Sequence, residues 1–171
     1  MIPGDCGEEY RKPPFLTASG DLSDHLNSIP TAYAVDTHPW RPQVKRAHTG
    51  SAWEDLAGYC RAQRIGDRIL VSGTTATAGI DRVVAKGDAG AQATFVIDKI
   101  IGAIKALGGD LNDIVRTQIY LRDIADTEAV SRVHGRVFSE IKPANTLLAI
   151  DTLAGDYLVE IEAEAIVTSD A

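Results

Sequence analysis

Three glutamates alternate near the end of the chain, Glu160, Glu162 and Glu164, within LVEIEAEAIV from Leu158 to Val167. Carboxylates at a period of two share one face of a strand, because successive side chains point to opposite sides. Such a carboxylate can act as a general base on water, although most strand glutamates are simply solvated. Tyr59 belongs to a residue type that packs its ring and leaves a hydroxyl to bind. Ser72 and Gly73 end an apolar run, where a backbone N–H can meet a ligand; Ser-Gly is also ordinary turn chemistry. No base stands beside Ser72 in the sequence, which argues against a serine nucleophile. His134 titrates near neutrality and suits either a proton shuttle or a satisfied interface position. His38 and His48 lack neighbouring carboxylates or thiolates, and there is no Cys-x-x-Cys or Cys/His cluster, so no metal is expected. Gly87 and Gly90 do not follow a strand at phosphate-loop spacing, which argues against a nucleotide.

The elements that must position these groups follow from periodicity. Gly58–Ile65 and Arg68–Thr75 read as two strands joined by a tight turn at Gly66-Asp67. Ala91–Leu107 is helical, with Ala93, Ile97, Ile100, Ile104 and Leu107 forming one apolar stripe, and Gly108-Gly109 ends it. Ile114–Leu121 is a strand with Val115, Thr117, Ile119 and Leu121 on its apolar face and Arg116, Gln118 and Tyr120 on the other. Asp126 is expected to cap a second helix running to Ile141, with Val130, Val133, Val137, Phe138 and Ile141 inward. Pro143 ends that helix. Thr146–Ile150, a short turn and Tyr157–Val167 complete the order ββαβαββ. Two amphipathic helices cover one face of such a sheet. The uncovered face carries Arg116, Gln118, Tyr120 and the three glutamates, with Leu158 and Ile166 beside them. Tyr120, Leu158 and Ile166 favour a second subunit there. A closed ring of subunits brings sheets into a barrel-like interior, with clefts at each junction.

Composition sets the class. The chain has 171 residues, 44% hydrophobic and 24% charged, enough for one domain with a core. Six of the seven prolines lie between Pro3 and Pro42, so residues 1–45 read as an irregular arm and 46–171 as the domain. Tyr33, Trp40 and Phe15 suggest that the arm partly docks. Seventeen basic against 24 acidic residues give a net charge of −7, which disfavours a nucleic-acid partner. No apolar run approaches the roughly 20 residues of a membrane span. With no secretory leader in view, Cys6 and Cys60 are expected as reduced thiols, Cys60 in the core, in a cytoplasmic protein.

The run GYCRAQRIGDRILVSGTT, the stretch ALGGDLNDIVRTQIYL and the PANTLLAI…LVEIEAEA ending resemble the YjgF/RidA family over about residues 53–168. The resemblance implies an α+β, chorismate-mutase-like fold, a homotrimer and a small-molecule cleft between subunits. It also implies hydrolysis of reactive imines or enamines such as 2-aminoacrylate, without metal or organic cofactor. Position by position, it implies ligand roles for Tyr59, Ser72 and Gly73, and makes Glu160 the residue that holds the attacking water. The family's substrate-gripping arginine falls on Asn145, a cleft asparagine on Ser131 and a nearby tyrosine on His134.

An arginine donates two parallel bonds to a carboxylate and neutralises it; an asparagine amide is uncharged. Charge-assisted bonds contribute roughly 1.5–3 kcal/mol, so the change weakens a small 2-imino acid by about tenfold to several hundredfold. Arg61, Arg64 or Arg116 are alternative sources of the lost charge. The leading expectation is an imine or enamine deaminase acting on a larger or neutral substrate, or a tailoring enzyme of a biosynthetic pathway. Its rivals are a non-catalytic metabolite-binding trimer and a ribonuclease, the last opposed by the acidic balance.

Overall fold

The computed structural model describes residues 33–38 and 41–168. The chain runs β1 (Ala34–His38), β2 (Arg41–His48), α1 (Ala52–Ala57), β3 (Ala62–Ile65), β4 (Arg68–Thr75), β5 (Thr77–Ala78), β6 (Arg82–Val83), α2 (Ala89–Ala106), β7 (Ile114–Leu121), α3 (Thr127–Phe138), β8 (Ala144–Ala149) and β9 (Val159–Ile166). Among the described residues, seven strands form one sheet in the order β1-β2-β3-β4-β9-β7-β8, and β5 pairs with β6 in a small separate ribbon. Among the described residues only the β7–β8 pair is parallel; α3 supplies the crossover that a parallel pair requires.

The core lies between one face of the sheet and the two long helices. On α2, Ala93, Ile97, Ile100, Ile104 and Leu107 are all buried, as the 3.6 period requires. Asp88 caps the helix by accepting from the Ala91 N–H at 2.8 Å, and Gly108 leaves it at φ +78°. On α3, Val130, Val133 and Phe138 are buried and Val137 partly so; the helix ends at Phe138, and Ile141, expected within it, packs partly buried from the turn that follows. Asp126 makes no capping bond. Asp123 accepts instead from Ala125 and starts a 3-10 turn that runs into the helix. Along β9, Val159, Ile161, Ala163 and Ala165 are buried and the three glutamates alternate with them.

Several features differ from the sequence reading. The arm read as irregular, residues 1–45, holds β1 and the first part of β2, which extend the sheet beyond β3; proline is tolerated near such an edge because fewer ladder bonds are needed there. Tyr33 does dock, donating its hydroxyl to the Lys99 carbonyl at 2.7 Å. Phe15, Trp40 and Cys6 lie outside the described residues. WEDLA folds as the helix α1, capped by Ser51 and closed by Gly58 at φ +67°, so the strand expected from Gly58 starts only at Ala62. Cys60 is half-buried rather than core. A register shift between Ile114 and Arg116 turns Ile114 inward and leaves Val115 exposed, as a bulge does. The last two strands are not neighbours: β7 lies between them, and the expected short turn is the crossing segment 150–158.

Candidate active site

Glu160 rises from β9 on the face of the sheet that the helices leave uncovered. Its register partners are Thr75 on β4 and Tyr120 on β7. The pairing of β4 with β9 shifts between Val71 and Thr74, so Ser72 and Gly73 fall in a bulge. The Glu160 carboxyl lies over that bulge. A Cβ placed on Gly73 would stand 2.0 Å from Glu160 Oε1, so the glycine leaves the room the carboxyl occupies. Among the described residues this carboxyl accepts no side-chain hydrogen bond. Glu162 accepts from Gln118 Nε2 at 2.8 Å and Glu164 pairs with Arg68 at 2.6 Å. Burial, and then the neighbouring Glu162 charge, raise the Glu160 pKa above the ordinary carboxylate value, opposed by Arg61.

Arg61 lies beneath this bulge, only 4% exposed. It donates to the Gly73 carbonyl at 2.6 Å, to Thr74 Oγ1 at 2.8 Å and, at 3.4 Å, to the Ser72 carbonyl. Its second terminal nitrogen donates to the Tyr59 hydroxyl at 3.0 Å, and the guanidinium stands 5.4 Å from the Tyr59 ring centre. The buried Glu54 is its counter-ion, 3.7 Å from Arg61 Nε. Glu54 is itself held by the Thr49 hydroxyl at 2.6 Å and the Thr49 amide. Ser72 directs its hydroxyl to the Cys60 carbonyl at 2.8 Å and its amide to the Arg61 carbonyl, which removes it further from a nucleophilic role. Tyr59, Ser72, Gly73 and Glu160 therefore form one group organised by Arg61. Beside it, a cleft of about 560 Å³ runs along the open face, lined by Leu70, Ser72, Gly73, Arg116, Gln118 and Glu162 among others.

The remaining expected positions form a second group on the helix side of the sheet. Asn145 pairs with Thr117 across β7 and β8, and its amide donates to Thr117 Oγ1 at 2.9 Å. The same hydroxyl lies 2.9 Å from His134 Nε2. Burial lowers the His134 pKa, which favours a neutral ring able to accept the Thr117 proton. Its ring tilts against Phe138 at 4.4 Å. Ser131 lies one turn earlier on α3 and is exposed. Within a single chain the two groups occupy opposite sides of the sheet and do not meet.

Of the three arginines considered as carboxylate binders, Arg61 is engaged as above and Arg64 bonds the Gly66 and Leu107 carbonyls at 2.8 Å; Arg116 lines the cleft. Sequence reasoning missed Glu54 and Thr117 and gave Arg61 no positioning role. A buried charge pair and a hydroxyl shared between elements leave no periodic signal; Arg61 and Glu54 are linked only by the turn at Gly58. Among the described residues no three His, Cys, Asp or Glu side chains gather as a metal site, and no helix is long and apolar enough to cross a membrane.

The family model described as Endoribonuclease L-PSP matches residues 49–167. An uncharacterised protein of Streptomyces coelicolor is 35% identical over 123 residues, 71% of this chain and 91% of that protein. The 3-aminoacrylate deaminase RutC of Acinetobacter baylyi is 34% identical over 110 residues, covering 64% of this chain and 87% of its own length. Among solved structures, a Mycobacterium tuberculosis protein described as a member of the highly conserved YjgF family superposes with a TM-score of 0.66 at 36% identity, covering 72% of this chain and 99% of that one. The Escherichia coli YjgF product superposes at 0.58 with 28% identity, covering 63% of this chain and 87% of that one. The extent of the family match and these likenesses bear out the α+β fold, and the chain belongs to the YjgF/RidA family.

Proposed function

We propose that this protein hydrolyses an imine or enamine to a carbonyl compound and ammonia, with Glu160 as the base that activates water. The carrying observation is a half-buried carboxyl, set over Gly73, whose oxygens accept no side-chain hydrogen bond among the described residues. Its raised pKa brings it closer to the working pH and makes it a stronger proton acceptor. Water oxygen bonds to the C=N carbon while its proton passes to Glu160. The C=N electron pair moves to nitrogen, which is protonated. Collapse of the carbinolamine breaks C–N, releases ammonia and leaves C=O after loss of the hydroxyl proton. An enamine enters the same path after protonation at carbon. The 3-aminoacrylate deaminase among the relatives supports this reaction class.

The second group, Ser131, His134 and Asn145, completes the site from a neighbouring subunit of a homotrimer. Its position on the opposite side of the sheet supports a cleft made by two copies. Asn145 carries no charge and directs its N–H to Thr117, so it does not replace a guanidinium as a carboxylate grip. The substrate is therefore neutral or bulkier than a small 2-imino acid. Turnover of 2-aminoacrylate and of larger neutral imines, with Glu160→Gln alongside, tests this. Faster hydrolysis of the neutral imines and an inactive variant are expected. If no imine reacts, or the variant equals the parent, the reading is rejected.

A metabolite-holding trimer without catalysis is the second reading, favoured by the same Asn145 contact; a co-purifying ligand recovered unchanged would select it. Ribonuclease action, which the family model's description carries, is opposed by the three glutamates on the open face and by the net charge of −7, since phosphodiester binding needs clustered cations.

A further inference from the structure

The structure assigns to Arg61 the role of positioning residue for the Glu160 site: its guanidinium clamps the Ser72–Thr74 bulge from below and fixes the direction of the Tyr59 hydroxyl. This rests on the reading of Glu160 as the base. Four acceptors belonging to four different residues converge on one buried side chain: the carbonyls of Ser72 and Gly73, the hydroxyl of Thr74 and the hydroxyl of Tyr59. The planar fork divides them: one terminal nitrogen faces the three bulge acceptors and the other faces the Tyr59 hydroxyl. The two carbonyls belong to the bulge residues over which the Glu160 carboxyl lies.

Because Tyr59 oxygen accepts from Arg61, its own proton is directed elsewhere, as a donor on the side away from the guanidinium. Burying a cation is costly unless it is paired and hydrogen-bonded. Glu54 supplies the pairing, yet Arg61 Nε has no hydrogen-bond partner. The terminal nitrogens are engaged with the bulge and with Tyr59, and the ion pair with Glu54 balances the buried charge. The charged groups acting on Glu160 are then Glu162 on its own strand and Arg61 from the segment leading into β3. Tyr120 on β7 stands opposite, with its own pKa raised by burial and by Glu162 and Glu160.

The test follows the carboxyl carbon of Glu160 by NMR through a pH titration, together with the Gly73 amide and Tyr59 ring resonances, in the full chain and two variants. Arg61→Gln removes the cation and the fork. It should move the Glu160 midpoint upward and lower kcat on the best imine by about tenfold or more with little change in KM. Arg61→Lys keeps a cation and is the variant to use if Arg61→Gln does not fold. It should leave the Glu160 midpoint near that of the parent, yet shift the Gly73 and Tyr59 resonances and fail to restore kcat. An unmoved Glu160 midpoint in folded Arg61→Gln overturns the assignment. So do parental Gly73 and Tyr59 resonances in Arg61→Lys. Neither titration nor resonances require a substrate, so failure of imine turnover in the parent would be scored separately from failure of the clamp.

Discussion

At the scale of single residues, the site depends on one carboxyl and the space beneath it. Gly73→Ala places a methyl where Glu160 Oε1 now lies. The flexible carboxyl swings away while the backbone holds, so activity should fall on the order of a hundredfold with an unchanged circular dichroism spectrum. Glu160 also carries a stability cost. Its folded pKa is raised, so the folded state binds more protons than the unfolded state between the two values, and stability falls as pH rises through that window. Glu160→Gln lacks this loss. Thermal melts should show the variant more stable than the parent at pH 7, with the difference closing below about pH 4, where the parent is protonated in both states.

At the scale of elements, buried polar groups tie strands to helices. Lys99 on α2 donates to the Thr77 carbonyl at 2.9 Å and the Thr75 carbonyl at 3.3 Å, anchoring the end of β4 next to the strand that carries Glu160. Burial lowers its pKa to about 8, assisted by Arg61. A depressed lysine pKa means that the unfolded chain binds more protons between about 8 and the ordinary value near 10.4. Stability from this group therefore rises with pH across that interval. Lys99→Met should remove that rise in chemical-denaturation curves taken at pH 8 and pH 10. On the same face of the sheet, Thr117 links α3, β7 and β8 through His134 and Asn145. The lowered His134 pKa makes this contribution full above the unfolded value of about 6.5 and progressively lost as pH falls below it. His134→Gln should flatten the melting temperature between pH 7 and pH 5.

For the whole molecule, the asymmetry of the sheet is decisive. One face packs on α2 and α3; the other presents Leu70, Tyr120, Ile166 and the paired glutamates. The edge strand β8 is largely exposed, with Leu148 at 52%, opposite Tyr120 in the register. An open apolar edge is a site for association unless it is guarded. If a homotrimer is the working form, Leu148→Glu should yield a smaller species by light scattering after gel filtration, with native circular dichroism and with imine turnover lost. A monomeric parent would remove the intersubunit half of the proposed site.

The sequence by itself determined the elements from β4 onward that carry a clear period, α2, β7, α3, β8 and β9, to within a few residues, and the inward faces of α2, α3 and β9, because periodicities of 3.6 and 2 are written in consecutive residues. It also placed Glu160 on the uncovered face, since alternation beside Val159 and Ile161 allows no other side. What only the tertiary structure decided is where a period is interrupted or where distant segments share a group. The bulge that turns Ile114 inward, the bulge under Glu160, the insertion of β7 between β8 and β9, and the pairing of β1 and β2 with the sheet all depend on partner strands. Arg61 looks like any strand arginine in its own neighbourhood. Its burial is imposed by Glu54, Tyr59 and the Ser72–Thr74 bulge, which chain folding alone brings within hydrogen-bonding and ion-pairing reach.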